Sequence, residues 1–273
     1  MKKKVAICLR GRCLDDSLEV NAHGVKKKID YKNCINFIFN KIVNKNPEIE
    51  FDFYLHGWIS NLNDKNIILN DYKPKKYILE KQIDFTNDYI HLENFSSILK
   101  ERYKHLHKNK NENFYNNINF QNYFQNIFSY AYSISKVIEL VDNTINYDKI
   151  IHMRYDIIIN NDIKLIELEN NKIFTDNVGI SHSPLFHGDF IYIANMVNCL
   201  FWKNFYLFLK TKIFNDLNYI NWVNNIISNK KINCKGRYEH GIYSNQMIYA
   251  YFINKNNILY SNIIPKINCN KFK

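Results

Sequence analysis

Arg154-Tyr155-Asp156 places two opposite charges inside Lys149–Ile159, an otherwise largely apolar run that reads as one central β-strand. Residues two apart on a strand share a face, so Arg154 and Asp156 point the same way. A charged pair in a buried strand is costly unless it is satisfied. Two arrangements satisfy it. Arg154 contacts an anion while Asp156 holds a divalent metal or a sugar hydroxyl, or the two close an internal salt bridge.

Arg10-Gly11-Arg12 follows the apolar run Val5–Leu9 and reads as a tight loop at a strand end. Gly11 permits close backbone approach, and Arg10 and Arg12 favour phosphate. A solvated basic turn is the alternative, because neither GxGxxG nor GxxxxGK[ST] is present. His56-Gly57-Trp58 ends a second strand, Phe51–Leu55. Trp58 could stack on a base or sugar and His56 could donate a hydrogen bond; a structural histidine is the alternative. Two later carboxylates, Asp189 and Glu239, are candidate general bases. Asp189 also suits a turn, and Glu239 also suits a helix N-terminus. There is no Ser/His/Asp signature and no HExxH, and the aromatic stripe Phe201–Phe208 reads as core.

The elements that must position these residues alternate along the chain. Tyr31–Val43 has helical periodicity between the first two strands. Tyr77–Ile83 reads as a third strand, and Glu93–Asn119 as a polar surface loop. Phe120–Val141 reads as a long helix, Phe190–Ala194 as a strand, Asn195–Lys212 as an aromatic helix, Tyr243–Asn254 as a late helix and Ile258–Ile264 as a last strand. This order predicts an α/β fold with ligand-facing loops at the carboxyl ends of parallel strands. No repeat or firm boundary divides residues 1–273, which are expected to form a single domain.

Composition bounds the function. The net charge of +11 admits nucleic acid, membrane surfaces or anionic substrates. The basic residues are dispersed among 44 Asn, however, which disfavours a nucleic-acid patch. Six cysteines without a CxxC pair are expected to be reduced and structural. The apolar stretch after Met1-Lys2-Lys3-Lys4 ends at Arg10, short of a signal peptide, and no run of 18 apolar residues occurs. A cytoplasmic protein is expected, with peripheral contact to the inner membrane face open to it through Lys and aromatic residues.

Taken in order, the segments resemble a group of bacterial and viral glycosyltransferase-like proteins of surface-polysaccharide loci. Val5-Ala6-Ile7-Cys8-Leu9-Arg10-Gly11 resembles their opening strand, and Asp52-Phe53-Tyr54-Leu55-His56-Gly57-Trp58 their Asp-Val-Phe-Ile-His-Thr-Trp strand. Tyr72-Lys73-Pro74-Lys75 with Glu80 resembles a Tyr-x-Pro-Lys…Glu segment. Ser133-Ile134-Ser135-Lys136 and Tyr147-Asp148-Lys149-Ile150-Ile151-His152-Met153-Arg154-Tyr155-Asp156 resemble their helix and Tyr-Asp-x-Val-Ile-Arg-x-Arg-x-Asp strand, with His152 in place of an Arg. Asp189-Phe190-Ile191-Tyr192 and the Glu239 segment resemble later landmarks.

The resemblance implies a GT-A-like (Rossmann-like) mixed, mainly parallel sheet flanked by helices. It implies a nucleotide-sugar donor bound by Arg10, Gly11, Arg12, His56, Trp58, Lys136 and Arg154, and a glycan or lipid-linked glycan acceptor. A divalent cation, Mn²⁺ or Mg²⁺, would sit on Asp156. This chain carries Arg-Tyr-Asp where such folds carry Asp-x-Asp, so Arg154 could neutralise the diphosphate itself. The expected activity is glycosyl transfer in capsule or lipopolysaccharide synthesis. Transfer of a phosphoryl-type group from a nucleotide-activated donor, or nucleic-acid binding, are the alternatives.

Overall fold

The computed structural model describes residues 2–20, 26–90, 120–176, 190–211, 213–228, 245–256, 263–267 and 269–271. Val5–Leu9 are wholly buried, as a parallel strand covered on both faces requires. They belong to β1 (Lys3–Val20), which pairs in parallel with β3 (Ile49–Ile59) on one side and β5 (Lys149–Arg154) on the other. β4 (Lys76–Glu80) adds in parallel outside β3. Beyond β5 the sheet turns antiparallel at β8 (Ile191–Ala194), followed by β7 (Ile173–Asp176) and β9 (Ile263–Ile267). β2 (Lys26–Asp30) pairs antiparallel with the far end of β1. The order is thus β4-β3-β1-β5-β8-β7-β9, a mixed, mainly parallel sheet that gathers strands from both ends of the chain.

Strand alternation divides the core in two. Ala6 and Cys8 face one side, and Val5, Ile7 and Leu9 face the other. Among the helices, α1 (Lys32–Lys41) and α2 (Lys65–Tyr72) precede α3 (Phe120–Glu139). On α3, Phe124, Ile127, Phe128, Ala131, Ile134, Val137 and Ile138 recur at three- and four-residue spacing and are all at most 3% exposed. They pack on the Ala6–Cys8 face. Each fully buried Ile or Phe there contributes about 1.5–3 kcal/mol. α1 contributes Ile38 and α2 contributes Ile68 and Tyr72 to the opposite core. α2 stops at Lys73, whose left-handed backbone (φ 46°) lets its N–H bond Leu69 O at 2.8 Å ahead of Pro74.

Several expectations are corrected. The run Lys149–Ile159 is not one strand: β5 ends at Arg154, and β6 (Ile157–Ile159) pairs with β10 (Cys269–Lys271) in a separate two-stranded sheet. The break lies at Tyr155-Asp156. There the Asp156 carboxylate turns back to Arg154, and the Tyr155 ring enters the core against Tyr31 and Tyr72. Arg10-Gly11-Arg12 and His56-Gly57-Trp58 are not loops but strand residues, registered on each other. The stretch Asn195–Lys212 is not one helix. Val197–Leu200 and the 3-10 turn Phe201–Asn204 precede a short α4 (Phe205–Lys210). α5 (Leu217–Ser228) follows, and α6 (Asn245–Lys255) is the late helix. The expected loop Glu93–Asn119 lies outside the described residues, as do residues 258–262 of the last expected strand. No helix among the described residues is long and apolar enough to cross a membrane.

Candidate functional site

Register brings the predicted residues together. His56 pairs with Arg10 across β3 and β1, and Arg10 pairs with Arg154 across β1 and β5. The three form one row near the carboxyl ends of three parallel strands, where α/β sheets place their ligands. Arg10 shares the face of Ala6 and Cys8, the side covered by α3. One step further, Arg12 registers with Trp58, and the pairing then slips by one residue before Leu14. Gly11 lies beside this irregularity with φ 96°, a conformation that other residues rarely adopt.

Arg10 is 2% exposed, and its guanidinium lies 4.5 Å from the centre of the Tyr130 ring on α3. Arg154 donates from Nε to Asp156 Oδ1 and from its terminal nitrogen to Asp156 Oδ2, both at 2.7 Å. Its guanidinium also lies 5.5 Å from the Phe190 ring centre, and its backbone N–H bonds Phe190 O at 3.0 Å. Asp176, fully buried at the end of β7, accepts the N–H groups of Phe190 and Ile191, each at 3.0 Å. This carboxylate pins the start of β8 beside Arg154.

His56 and Trp58 are enclosed rather than presented to solvent, at 0% and 3% exposure. Trp58 stacks on Tyr132 at 5.6 Å and meets the His56 ring edge-on at 4.7 Å. His56 Nε2 lies 3.2 Å from Glu80 Oε1. Burial holds the imidazole below its ordinary range, Glu80 opposes this, and Lys136 adds to it. Lys136 Nζ bonds Glu139 at 2.7 Å and lies 5.5 Å from the Tyr132 ring centre. His152, two residues before Arg154 and on the same face, is pushed well down by burial and then by Arg10.

The metal expectation can be tested on the donor set. Both oxygens of Asp156 accept from Arg154. Among the described residues no group of three or more His, Cys, Asp or Glu side chains is placed to hold a metal ion. The described residues therefore do not fit a divalent cation in this arrangement. Asp189 and Glu239, the expected bases, lie outside the described residues.

The two motif segments around residues 52–58 and 72–80 are joined physically. Lys75 Nζ lies 2.7 Å from Asp52 Oδ2, which also accepts from the Tyr147 hydroxyl at 2.6 Å. The Tyr147 and Tyr54 hydroxyls are 2.8 Å apart. With His56–Glu80 higher up, these bonds tie β3 to β4 and to the segments that lead into β4 and β5, below the arginine row. Around Arg10, His152 and Arg154, sequence reading missed Tyr130, Asp176 and Tyr249, named Tyr192 only within a landmark segment and took Trp202 for core. Tyr130 stands in the helical pattern of α3 as one more aromatic residue, and Asp176 follows an apolar run too short to mark a strand end.

No family model matches the sequence, and no curated protein matches it. Among solved structures the chain is similar to the apo form of mouse xyloside xylosyltransferase 1, at 7% identity and a TM-score of 0.36, covering 94% of this chain and 83% of that one. At that level the likeness decides neither fold nor function.

Proposed function

We propose that this chain is a glycosyltransferase that moves a sugar from a nucleotide-sugar donor to a surface-polysaccharide glycan, free or lipid-linked. The supporting observation is the side-by-side register of Arg10 and Arg154 near the carboxyl ends of β1 and β5. Like charges directly opposite are unfavourable in a sheet. A diphosphate bridging the two guanidiniums would offset that repulsion and take up charge as it leaves.

In this reading an acceptor hydroxyl displaces the nucleoside diphosphate at the anomeric carbon. Arg10 and Arg154, with Arg12 and Gly11 beside them, hold the departing diphosphate. His56, Trp58 and Lys136 shape the adjoining wall, and Asp189 or Glu239 takes the acceptor proton. A Mn²⁺ or Mg²⁺ ion would require Asp156 to leave Arg154 and further oxygen ligands to join it, so no step is routed through a metal. The enzyme would work in the cytoplasm, meeting the inner membrane face where its acceptor is lipid-linked.

The test is a panel of UDP-, GDP- and CMP-sugars, with and without Mn²⁺, scored by thermal shift and donor hydrolysis on wild type, Arg10→Met and Arg154→Met. At least one donor should raise the wild-type melting temperature and be turned over, and both variants should lose most of that shift. A folded wild type that responds to no donor sinks the reading. A Mn²⁺-independent response rules against the cation.

A further inference from the structure

Behind the arginine row lies a second group of side chains with no assigned role. His152 registers with Tyr192 of β8, and Tyr192 registers with Thr175 of β7, so the three share one face of adjacent strands. His152 and Thr175 are thus two strand spacings apart, about 9.5 Å. His152 is 1% exposed, and neither ring nitrogen has a hydrogen-bond partner among the described residues. Thr175 Oγ1 and the Tyr249 hydroxyl are likewise buried without a partner among the described residues. Aromatic rings pack around them. His152 stacks on Tyr192 at 4.8 Å, Trp202 stands edge-on to both at 5.4 Å, and Tyr249 lies 4.5 Å from Trp202.

A buried polar group without a partner is costly. Three such side chains in one neighbourhood are expensive for a core and useful for a ligand that supplies hydroxyls. The rings offer flat apolar faces to the C–H face of a sugar, as the walls of small-molecule sites commonly do. Trp202 and Tyr249 stand on helical segments outside the sheet, so they can shift without breaking a strand pair. Tyr249 feels both Arg10 and the fully buried Asp176. The first ties this group to the arginine row. The second directly follows Thr175 on β7 and is fully buried, so it sets a carboxylate beside this group where an acidic sugar would bring another.

We infer that His152, Thr175 and Tyr249 bind the hydroxyls of an uncharged sugar ring, walled by Tyr192 and Trp202, while the arginine row holds the diphosphate. This rests on the glycosyltransferase reading above. The experiment compares UDP- and GDP-hexoses, UDP-glucuronate, UDP and GDP by calorimetry on wild type, Thr175→Val and Tyr249→Phe. Both substitutions keep shape and delete one hydroxyl, so both variants should fold and melt no lower than wild type. Each should bind the preferred nucleotide-hexose about fivefold more weakly and bind the matching diphosphate as wild type does. UDP-glucuronate should bind no better than UDP.

Variants that keep the full hexose increment overturn the inference, whether or not they melt lower, and assign these hydroxyls to closed core or buried water. An equal loss for hexose and diphosphate ligands overturns it too. A wild type that binds no nucleotide at all fails the glycosyltransferase reading first and takes this inference with it.

Discussion

Arg154 grips both oxygens of Asp156 at 2.7 Å, at the point where β5 stops. The side chains are 22% and 12% exposed, so the pair is largely out of water. Removing one partner of such a pair strands the other. Asp156→Ala should therefore cost about 2–3 kcal/mol in a urea titration. The double change Arg154→Met with Asp156→Leu should recover part of that loss. Equal loss in the single and double variants would show that packing rather than charge carries the effect.

Asp52 receives two donors of unequal weight. The Tyr147 hydroxyl is buried, whereas the Lys75 side chain is 40% exposed. Solvent screening limits the lysine pair to about 0.2–1 kcal/mol. Tyr147→Phe takes one donor from a buried carboxylate and one partner from Tyr54, at about 1.5–3 kcal/mol. Tyr147→Phe should lower the melting temperature more than Lys75→Ala. The reverse order would place the weight of the network on its exposed edge.

Gly57 sits where a side chain has no room. A Cβ there would lie 2.6 Å from Cys13 Sγ and 2.7 Å from Leu79 Cδ2. Gly57→Ala should destabilise by about 1–3 kcal/mol through overpacking. Adding Cys13→Ala should relieve part of the loss in the same denaturation experiment, since one of the two clashes disappears.

Acid should destabilise the fold through its buried histidines. His56 and His152 are both held below the ordinary imidazole value of 6.5, chiefly by burial. Below that value the unfolded chain binds protons that the folded chain refuses, so stability falls as pH falls. The contribution is whole above pH 6.5 and shrinks towards the lowered folded values. The melting temperature should drop between pH 7 and pH 5.5, and His152→Leu should flatten the drop. An unchanged slope in that variant would mean that His152 accepts a proton in the folded state.

Much of the architecture was legible in the chain. Parallel strands buried on both faces must be continuously apolar, so Val5–Leu9 announces its place. An amphipathic helix must repeat every three or four residues, so α3 was readable almost to its end. Arg10, His56 and Arg154 were also singled out from sequence, because charge beside or inside such runs stands out, but Arg10 and His56 were read as loop residues and Arg154 as mid-strand. Local pattern has no information on register, however. Only the folded sheet sets His56, Arg10 and Arg154 in one row, since that alignment depends on pairing between strands about 40 to 150 residues apart. Only tertiary structure turned Asp156 back onto Arg154 and ended β5 there. It also brought Tyr130, Asp176, Trp202 and Tyr249 from four separate segments around Arg10 and His152. Each of these looks like ordinary core or turn sequence by itself, and its role arises from neighbours that periodicity cannot name.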